Sequence, residues 1–536
     1  MRSFDYIIIG AGSAGCVLAN RLSASGNHQV LVLEAGGKVK DPLVNIPGAY
    51  GRLFKKKYDW GFWTEEQKHV NGRKIYLPRG KILGGCSSTN AMAHVRGNRL
   101  DYDLWADQGN KGWGFKDVLP YFIKSENNRQ FSKLNKEHHG QDGELIVTYN
   151  EKFQTPFSTA FIDACQEYGI PFNEDSNGSS QDGVGRFQFN IRNGERHSGF
   201  EAFLKPAMIR PNVEVITNAR VSRLLVKDSH VSGVEFYKNN NKLQVAVAKY
   251  EVILSAGSYQ SPQILMLSGI GDPQQLEEHR IPCNHALFGV GKNLQDHLFF
   301  PVGCKATRQL GLNHVLKPWN TALEFARYFL QKRGPLSISP LEAVAFTSVD
   351  SDRVNLQFHF SPMHIGTGYD YDLYDLSTYP TTDGFTLLPT LLKPKSRGEV
   401  RLRSNDPFDA PEVQPNFLSE KEDLDLLVKG AKIALEILDQ PSMKPFVDLI
   451  ESPPGFDSEA EIADHIRKSV ETVYHPVGTC KMGNGKEAVV NDQLQVHGLS
   501  GLRVIDASIM PEIVSGNTNA PVYMIAEKGA DMILSE

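Results

Sequence analysis

Two stretches near opposite ends of this chain carry residue types at spacings suited to chemistry. The first is GAGSAG, with Gly10, Gly12 and Gly15 between the apolar run Tyr6 to Ile9 and a helical pattern through Val17, Leu18 and Leu22. At this spacing Gly10 makes a tight turn and Gly12 lets the backbone approach a pyrophosphate. Gly15 lets a helix pack on a strand, and the free N–H groups of that helix face the anion. Glu34 closes the next apolar run, VLVLE, where a carboxylate accepts hydrogen bonds from a ribose diol and repels a 2′-phosphate. The second stretch is YHPVGTCKMG, Tyr474 to Gly483. A neutral imidazole is a competent base near pH 7, and Pro476 biases His475 towards extended backbone, which fixes where its ring projects. One histidine among 16 carries little weight on residue type alone.

The elements that position these groups must come from more than one core, because 536 residues exceed the size at which a single core keeps growing. Two domains, interleaved in sequence, are expected. The balance of 57 basic and 62 acidic side chains leaves no footprint for a nucleic-acid partner, and the Lys55 to Lys57 run reads as a solvated face. The six cysteines include no C-x-x-C pair and suggest reduced thiols of a cytoplasmic protein, with neither a disulfide framework nor a metal site. Asp5 and the glycines interrupt any signal-peptide core at the N-terminus, and no run of about 18 apolar residues is present to cross a bilayer. Attachment to a membrane surface through an electron-accepting partner stays open.

NAD and FAD share the glycine fingerprint, and the segment after residue 220 separates them. RVSRLLV, VSGVEFY and KLQVAVA read as three strands of an antiparallel meander, joined at DSH and KNNN and followed by a separate apolar strand, EVILSAG. A meander before a returning parallel strand is typical of flavoproteins, by analogy. Two glycine-rich segments follow the same logic. In RGKILGGCSSTNAMAHVRG, Gly84 and Gly85 permit close approach to a flat ring, with Ser87, Ser88 and Asn90 as polar contacts. In GSYQSPQILMLSGIG, Ser261 is the expected cap of a helix with Pro262 at its first position.

These segments resemble the two signature motifs of the glucose-methanol-choline oxidoreductases, FAD enzymes that oxidise alcohols. The likeness is to the bacterial choline and alcohol dehydrogenase-like branch. It continues through YDWGFWTE, GERHSGFEAFLKP, NARVSRLLV, VGKNLQDH, YHPVGTCKMG and RVIDASIMPEIVSGNTNAP, and is weakest over residues 301–400. It implies an α/β fold in which a Rossmann-like FAD domain (1–150, 195–300 and 465–536) interleaves with an α+β, antiparallel-sheet substrate domain (151–194 and 301–464).

The implied reaction is oxidation of a primary alcohol to the aldehyde. His475 is the implied base facing flavin N5, and Asn517, four residues before Pro521, donates to the developing alkoxide. Asp506 is implied at the ribityl-diphosphate region, and Ser13, Leu83, Val221 and Ala507 complete the expected cofactor set. Asn519 is the expected cap of a C-terminal helix whose positive end favours charge near N1 and C2=O of the reduced flavin. His197 and His297 read as structural or surface residues. Glu342 is a candidate to face a quaternary ammonium such as choline, while Phe358, Phe360 and Tyr371 divide between cavity and core, with core favoured. The acceptor is oxygen or a quinone-like carrier.

One departure from the family pattern concerns the flavin link. Where the covalently flavinylated choline-oxidising branch has histidine before the motif asparagine, this chain has Thr89, so FAD is expected without a covalent bond. Two other readings compete with alcohol oxidation. One is lyase or photochemical decarboxylase chemistry on the same fold. The other is a non-catalytic dinucleotide-binding protein, for which the co-occurrence of His475 and Asn517 has no reason.

Overall fold

A computed structural model describes residues 2–131, 133–150, 152–366, 371–452 and 458–536. Its first sheet forms around the apolar runs flanking the glycine turn. Strands Val213–Thr217, Val30–Glu34, Arg2–Ile9, Lys242–Leu254 and Leu502–Val504 lie side by side, with parallel pairing throughout this set. Val30–Glu34 is buried along its whole length, as expected of a strand covered on both faces. The helix Ser13–Leu22 packs against the C-terminal helix Asn519–Ser535. Arg21 locks the two together, pairing with Glu527 at 2.7 Å and with Glu144 at 2.6 Å. The buried Glu527 carboxylate thus has a cation, which a charge in that position requires.

The meander is Ala219–Lys227, His230–Lys238 and Lys242–Leu254, antiparallel and joined to the edge of the same sheet. Here the structure corrects the reading of KLQVAVA and EVIL as two strands, because they form one strand of 13 residues. Its first half pairs antiparallel with 233–238 and its second half pairs parallel with 6–9 and 502–504. The AKYE link contains no glycine, proline or asparagine to break it, and Arg2 to Phe4 offer ladder partners across the junction.

The second sheet is antiparallel, in the order Val447–Ser452, Val302–Ala306, Gly384–Leu391, Leu356–Ser361, Ala343–Thr347 and Gly183–Arg186. Helices Pro156–Tyr168 and Lys421–Leu438 cover one face. Period-two alternation sends Phe358 and Phe360 into the core under those helices and turns His359 and Ser361 to the opposite face. Among the described residues, no helix is long and apolar enough to cross a membrane, and no group of three or more His, Cys, Asp or Glu is arranged to hold a metal ion.

Two helix starts differ from expectation. Ser261 lies inside the helix Gln260–Leu267, behind Tyr259, and its hydroxyl donates to Asp506 at 2.6 Å instead of capping. Asn519 is the first residue of its helix, behind Thr518, and its Oδ1 accepts from the Ser13 hydroxyl at 2.7 Å. In both cases a side chain expected to satisfy its own helix end is drawn to a distant partner at the cavity.

Candidate active site

A cavity of about 370 Å³ runs between the glycine turn and the second sheet. At its dinucleotide end the three motif glycines do different work. Gly10 has φ +98°, and a Cβ there would lie 2.5 Å from the Ser255 carbonyl. A Cβ on Gly15 would lie 1.9 Å from the Gly10 carbonyl, so this glycine serves helix-to-turn packing and does not reach the cavity. Gly12 lines the cavity, and a Cβ there would meet no protein atom within 4 Å. Gly257, with φ +86°, is equally open. These two backbones form a cradle with room for a ligand to approach, at the start of the helix Ser13–Leu22.

Around the cradle, Glu34 is buried and accepts from Ala11 N at 2.9 Å and Gly36 N at 2.7 Å. Burial pushes its carboxyl up to about 7, with those two N–H groups pulling the other way. Asp506 accepts from Gly257 N at 2.8 Å and Ser261 Oγ on one oxygen, and from Ser508 N and Oγ on the other. Its carboxylate therefore holds the Gly257 turn in place. Ser13, Asn90, Val221, Ala507 and Asn519 all line the cavity, as does Gly85. Gly85 approaches Gly12 so closely that a Cβ would sit 2.7 Å from the Gly12 Cα.

Leu83 and Gly84 do not line the cavity: Leu83 is core, and Gly84, at φ +90°, donates its N–H to the Ala11 carbonyl at 2.7 Å. Nor do Ser87 and Ser88, whose hydroxyls are spent on the carbonyls of Gly84 and Leu83. The open cradle, the two helix starts at Ser13 and Asn519 and the buried carboxylate of Glu34 fit a dinucleotide with a pyrophosphate and a ribose.

At the far end of the cavity, His475 is held by the LQDH segment. Asp296 accepts from His475 N at 2.7 Å and from Thr472 Oγ1 at 2.5 Å, and the His297 carbonyl accepts from Val473 N at 3.0 Å. His297 Nδ1 lies 3.0 Å from His475 Nδ1, and Asn517 Nδ2 lies 3.3 Å from His475 Nε2. Gln295 reaches the Asn517 segment through Pro511 O and Ile513 N. Burial, then His297, His359 and Arg79, hold the His475 imidazole well below its ordinary value, so it is neutral. The same cause takes His297 to about 3 and lifts Asp296 to about 6.

His297 is thus structural, but in direct contact with the proposed base, a role its sequence context did not reveal. His359, which lines the cavity opposite and bonds Thr390 Oγ1 at 3.1 Å, was also missed. The alternation in LQFHFS was the available signal. His197 is a buried structural residue that accepts from Ile146 N at 3.2 Å. Glu342 lies away from the cavity, its carboxylate accepting from the Thr155 hydroxyl at 2.7 Å and the Thr155 N–H. Tyr371 is half-buried and does not line the cavity.

The glycine geometry separates binding from folding. Gly12→Val should fold, since its side chain meets cavity space, yet bind FAD ~10-fold or more weakly, the consequence of losing about 1.4 kcal/mol at the cradle. Gly15→Ala should instead reduce soluble yield. Wild-type flavin content in purified Gly12→Val would refute the placement. Thr89 lines the cavity and His94 does not, so no histidine from the GGCSS segment faces the cofactor space. Acid precipitation should therefore release the flavin and leave a colourless pellet, and a denatured chain carrying the mass of FAD would overturn this.

The family model described as GMC oxidoreductase matches this chain twice, its N-terminal part over residues 4–299 and its C-terminal part over 394–526. An alcohol dehydrogenase (acceptor) of Pseudomonas putida is 43% identical over 99% of this chain and 96% of its own length. An oxygen-dependent choline dehydrogenase of Vibrio vulnificus is 39% identical over 99% and 94%. Among solved structures, pyridoxine 4-oxidase from Mesorbium loti superposes with a TM-score of 0.90 at 29% identity, covering 99% of each chain. A formate oxidase of Aspergillus oryzae, studied for its FAD modification, gives 0.93 at 28% identity over 100% and 98%. With both parts of the family matched in order and relatives of this identity spanning its length, the chain belongs to the GMC oxidoreductases, FAD-dependent flavoproteins, and is an oxidoreductase acting on CH–OH groups.

Proposed function

We propose that the protein oxidises an uncharged primary alcohol to its aldehyde, with His475 as the base and Asn517 as the donor to the alkoxide. The observation that carries this reading is the neutral His475 imidazole beside the Asn517 amide, in a cavity whose acidic lining residues among the described ones, Glu34 and Asp506, both belong to the dinucleotide cradle.

The hydrogen bonds favour one tautomer. An amide N–H from Asn517 needs a lone pair on His475 Nε2, so the ring proton sits on Nδ1 and is donated to His297 Nδ1. Nε2 is then free to take the hydroxyl proton of an alcohol placed beside it. The Asn517 N–H turns to the oxygen left behind, and Arg79, which lines the same cavity, adds positive potential. Bound FAD would supply the two-electron acceptor for the hydride leaving the carbinol carbon as the C=O bond forms. Asp296 and His297 keep the imidazole from turning away during this exchange.

A quaternary ammonium substrate is the second reading, favoured by the choline dehydrogenase relatives and by Tyr50, Phe54, Tyr379 and Tyr474 in the wall. Against it, Glu342 is engaged elsewhere, and the charged side chains nearest the base include Arg79. A desolvated cation without a carboxylate is costly. The neutral carbon isostere of choline, with tert-butyl in place of trimethylammonium, should therefore reduce the enzyme-bound flavin with a higher kcat/KM than choline itself. The reverse order would support the second reading.

His475→Ala should keep its FAD and lose alcohol-driven flavin reduction by a factor of about 10² to 10⁴. Asn517→Ala should lose less, because the base remains. Reduction of His475→Ala at the wild-type rate would exclude the role. The acid limb follows from the depressed imidazole: the active form is the neutral one, so activity is lost only as pH falls through a value below 6.5. A flavin-reduction rate that halves at or above that ordinary value would contradict a buried neutral base.

A further inference from the structure

The helix Pro318–Gln331, PWNTALEFARYFLQ, is amphipathic in an unusual sense, because its larger apolar face points outward. Trp319, Leu323, Phe329 and Leu330 are 82%, 56%, 57% and 84% exposed, and with Ala322 and Ala326 they recur at i, i+3, i+4 and i+7 spacing along one side. The inward side is held by Tyr328, which is buried with Ile46, Ala49 and Leu336 while Phe325 packs alongside. The turn Pro47–Arg52 is common to this contact and to the cavity: Ala49 packs on the helix, while Tyr50 and Gly51 line the substrate end. The inward side of this helix therefore lies one short turn from the cavity wall.

The rim of this face is basic, in a chain of formal net charge −5. Lys317, Lys332 and Arg333 flank the helix, Arg327 lies within it, and Arg52 ends the neighbouring turn, with Lys55 to Lys57 exposed beyond it. Glu324, Glu195 and Asp372 pair with Arg327, Lys332 and Lys55, and Asp375 lies near Lys55 and Lys56. Among the described residues, Arg52, Lys56, Lys317 and Arg333 form no ion pair. The Lys55 to Lys57 run is exposed, as expected of a solvated face.

We infer that the outward face of Pro318–Gln331 and its basic rim form a docking site for an anionic lipid bilayer surface. Tryptophan, phenylalanine and leucine on one face with lysine and arginine beside them is the composition that seats a helix at the headgroup boundary. A second copy of the chain fits less well. A two-fold contact sets each patch against itself, bringing the unpaired cations of both rims together. An anionic lipid surface instead complements them and takes up the apolar side chains. Docked in this way, the helix stands between the bilayer surface and the turn that forms part of the cavity wall. The docking itself does not depend on which alcohol is oxidised.

Flotation of the full-length holoenzyme with vesicles tests the inference. The protein should float with vesicles of phosphatidylcholine and phosphatidylglycerol, less with phosphatidylcholine alone, and should be released from the anionic vesicles by added salt. The variant carrying Trp319→Ser, Leu323→Ser and Leu330→Ser should partition ~1,000-fold more weakly, at roughly a tenfold loss for each large apolar side chain. Its flavin content, melting temperature and rate with a water-soluble alcohol and a soluble dye should match the wild type. Lys317→Glu combined with Arg333→Glu should weaken binding to the anionic vesicles only. Wild-type protein that stays with the aqueous fraction, or a triple variant that floats as well as the wild type, would overturn the inference. So would a wild-type dimer in sedimentation equilibrium that the triple variant dissolves, which would assign the face to a second copy.

Discussion

The buried His475 imidazole, contacted on both ring nitrogens, is the interaction around which the far end of the cavity is built. Desolvation, with His297, His359 and Arg79, favours the neutral ring, but it does not decide which nitrogen carries the proton. That choice needs a partner on each side of the ring, and the structure supplies His297 at Nδ1 and Asn517 at Nε2. Each partner must itself be held. Asp296 fixes the backbone before the proline, and Gln295 ties the same segment to the carbonyl of Pro511. Three consecutive residues, Gln295 to His297, thereby set the relation between the two chain segments that meet at the cavity.

The same economy applies at the dinucleotide end, where the chain returns to its own beginning. Leu502–Val504 joins the parallel sheet beside Lys242–Leu254, and this brings Asp506 to the Gly257 turn and Asn519 to Ser13. Arg21 and Glu527 make the same link deeper in the core. Polar side chains that local sequence would assign to helix capping are used here to join segments 245 and 506 residues apart. A hydrogen bond between distant segments fixes the cavity floor, whereas a cap fixes only one helix end.

The second sheet shows how one strand serves both packing and chemistry. Alternation along Leu356–Ser361 commits Phe358 and Phe360 to the core and leaves His359 and Ser361 for the cavity. A shift of one residue in register would exchange the two sets, so the sheet pairing with Gly384–Leu391 is also what defines the cavity wall. The outward helix Pro318–Gln331 is the counterpart on the surface: its apolar periodicity is equally clear, but its larger apolar face is turned away from the protein.

The sequence by itself determined whatever is encoded within one turn or strand. The glycine spacing at Gly10, Gly12 and Gly15, the antiparallel meander, and the extended backbone before Pro476 all follow from short-range sterics, and the ordered motifs brought the family and its FAD with them. Only the tertiary structure decided which side chains meet. His297 and His475 are separated by 178 positions, and neither local sequence reports the other. Glu342 has the charge to suit a cationic substrate, yet folding delivers it to Thr155. Ser87, Ser88, Leu83 and Gly84 belong to a cofactor motif but build the loop that presents it. The physical reason is the same in each case: residue type fixes what a group can do, while burial and the direction of the side chain depend on contacts that exist only once distant segments have packed.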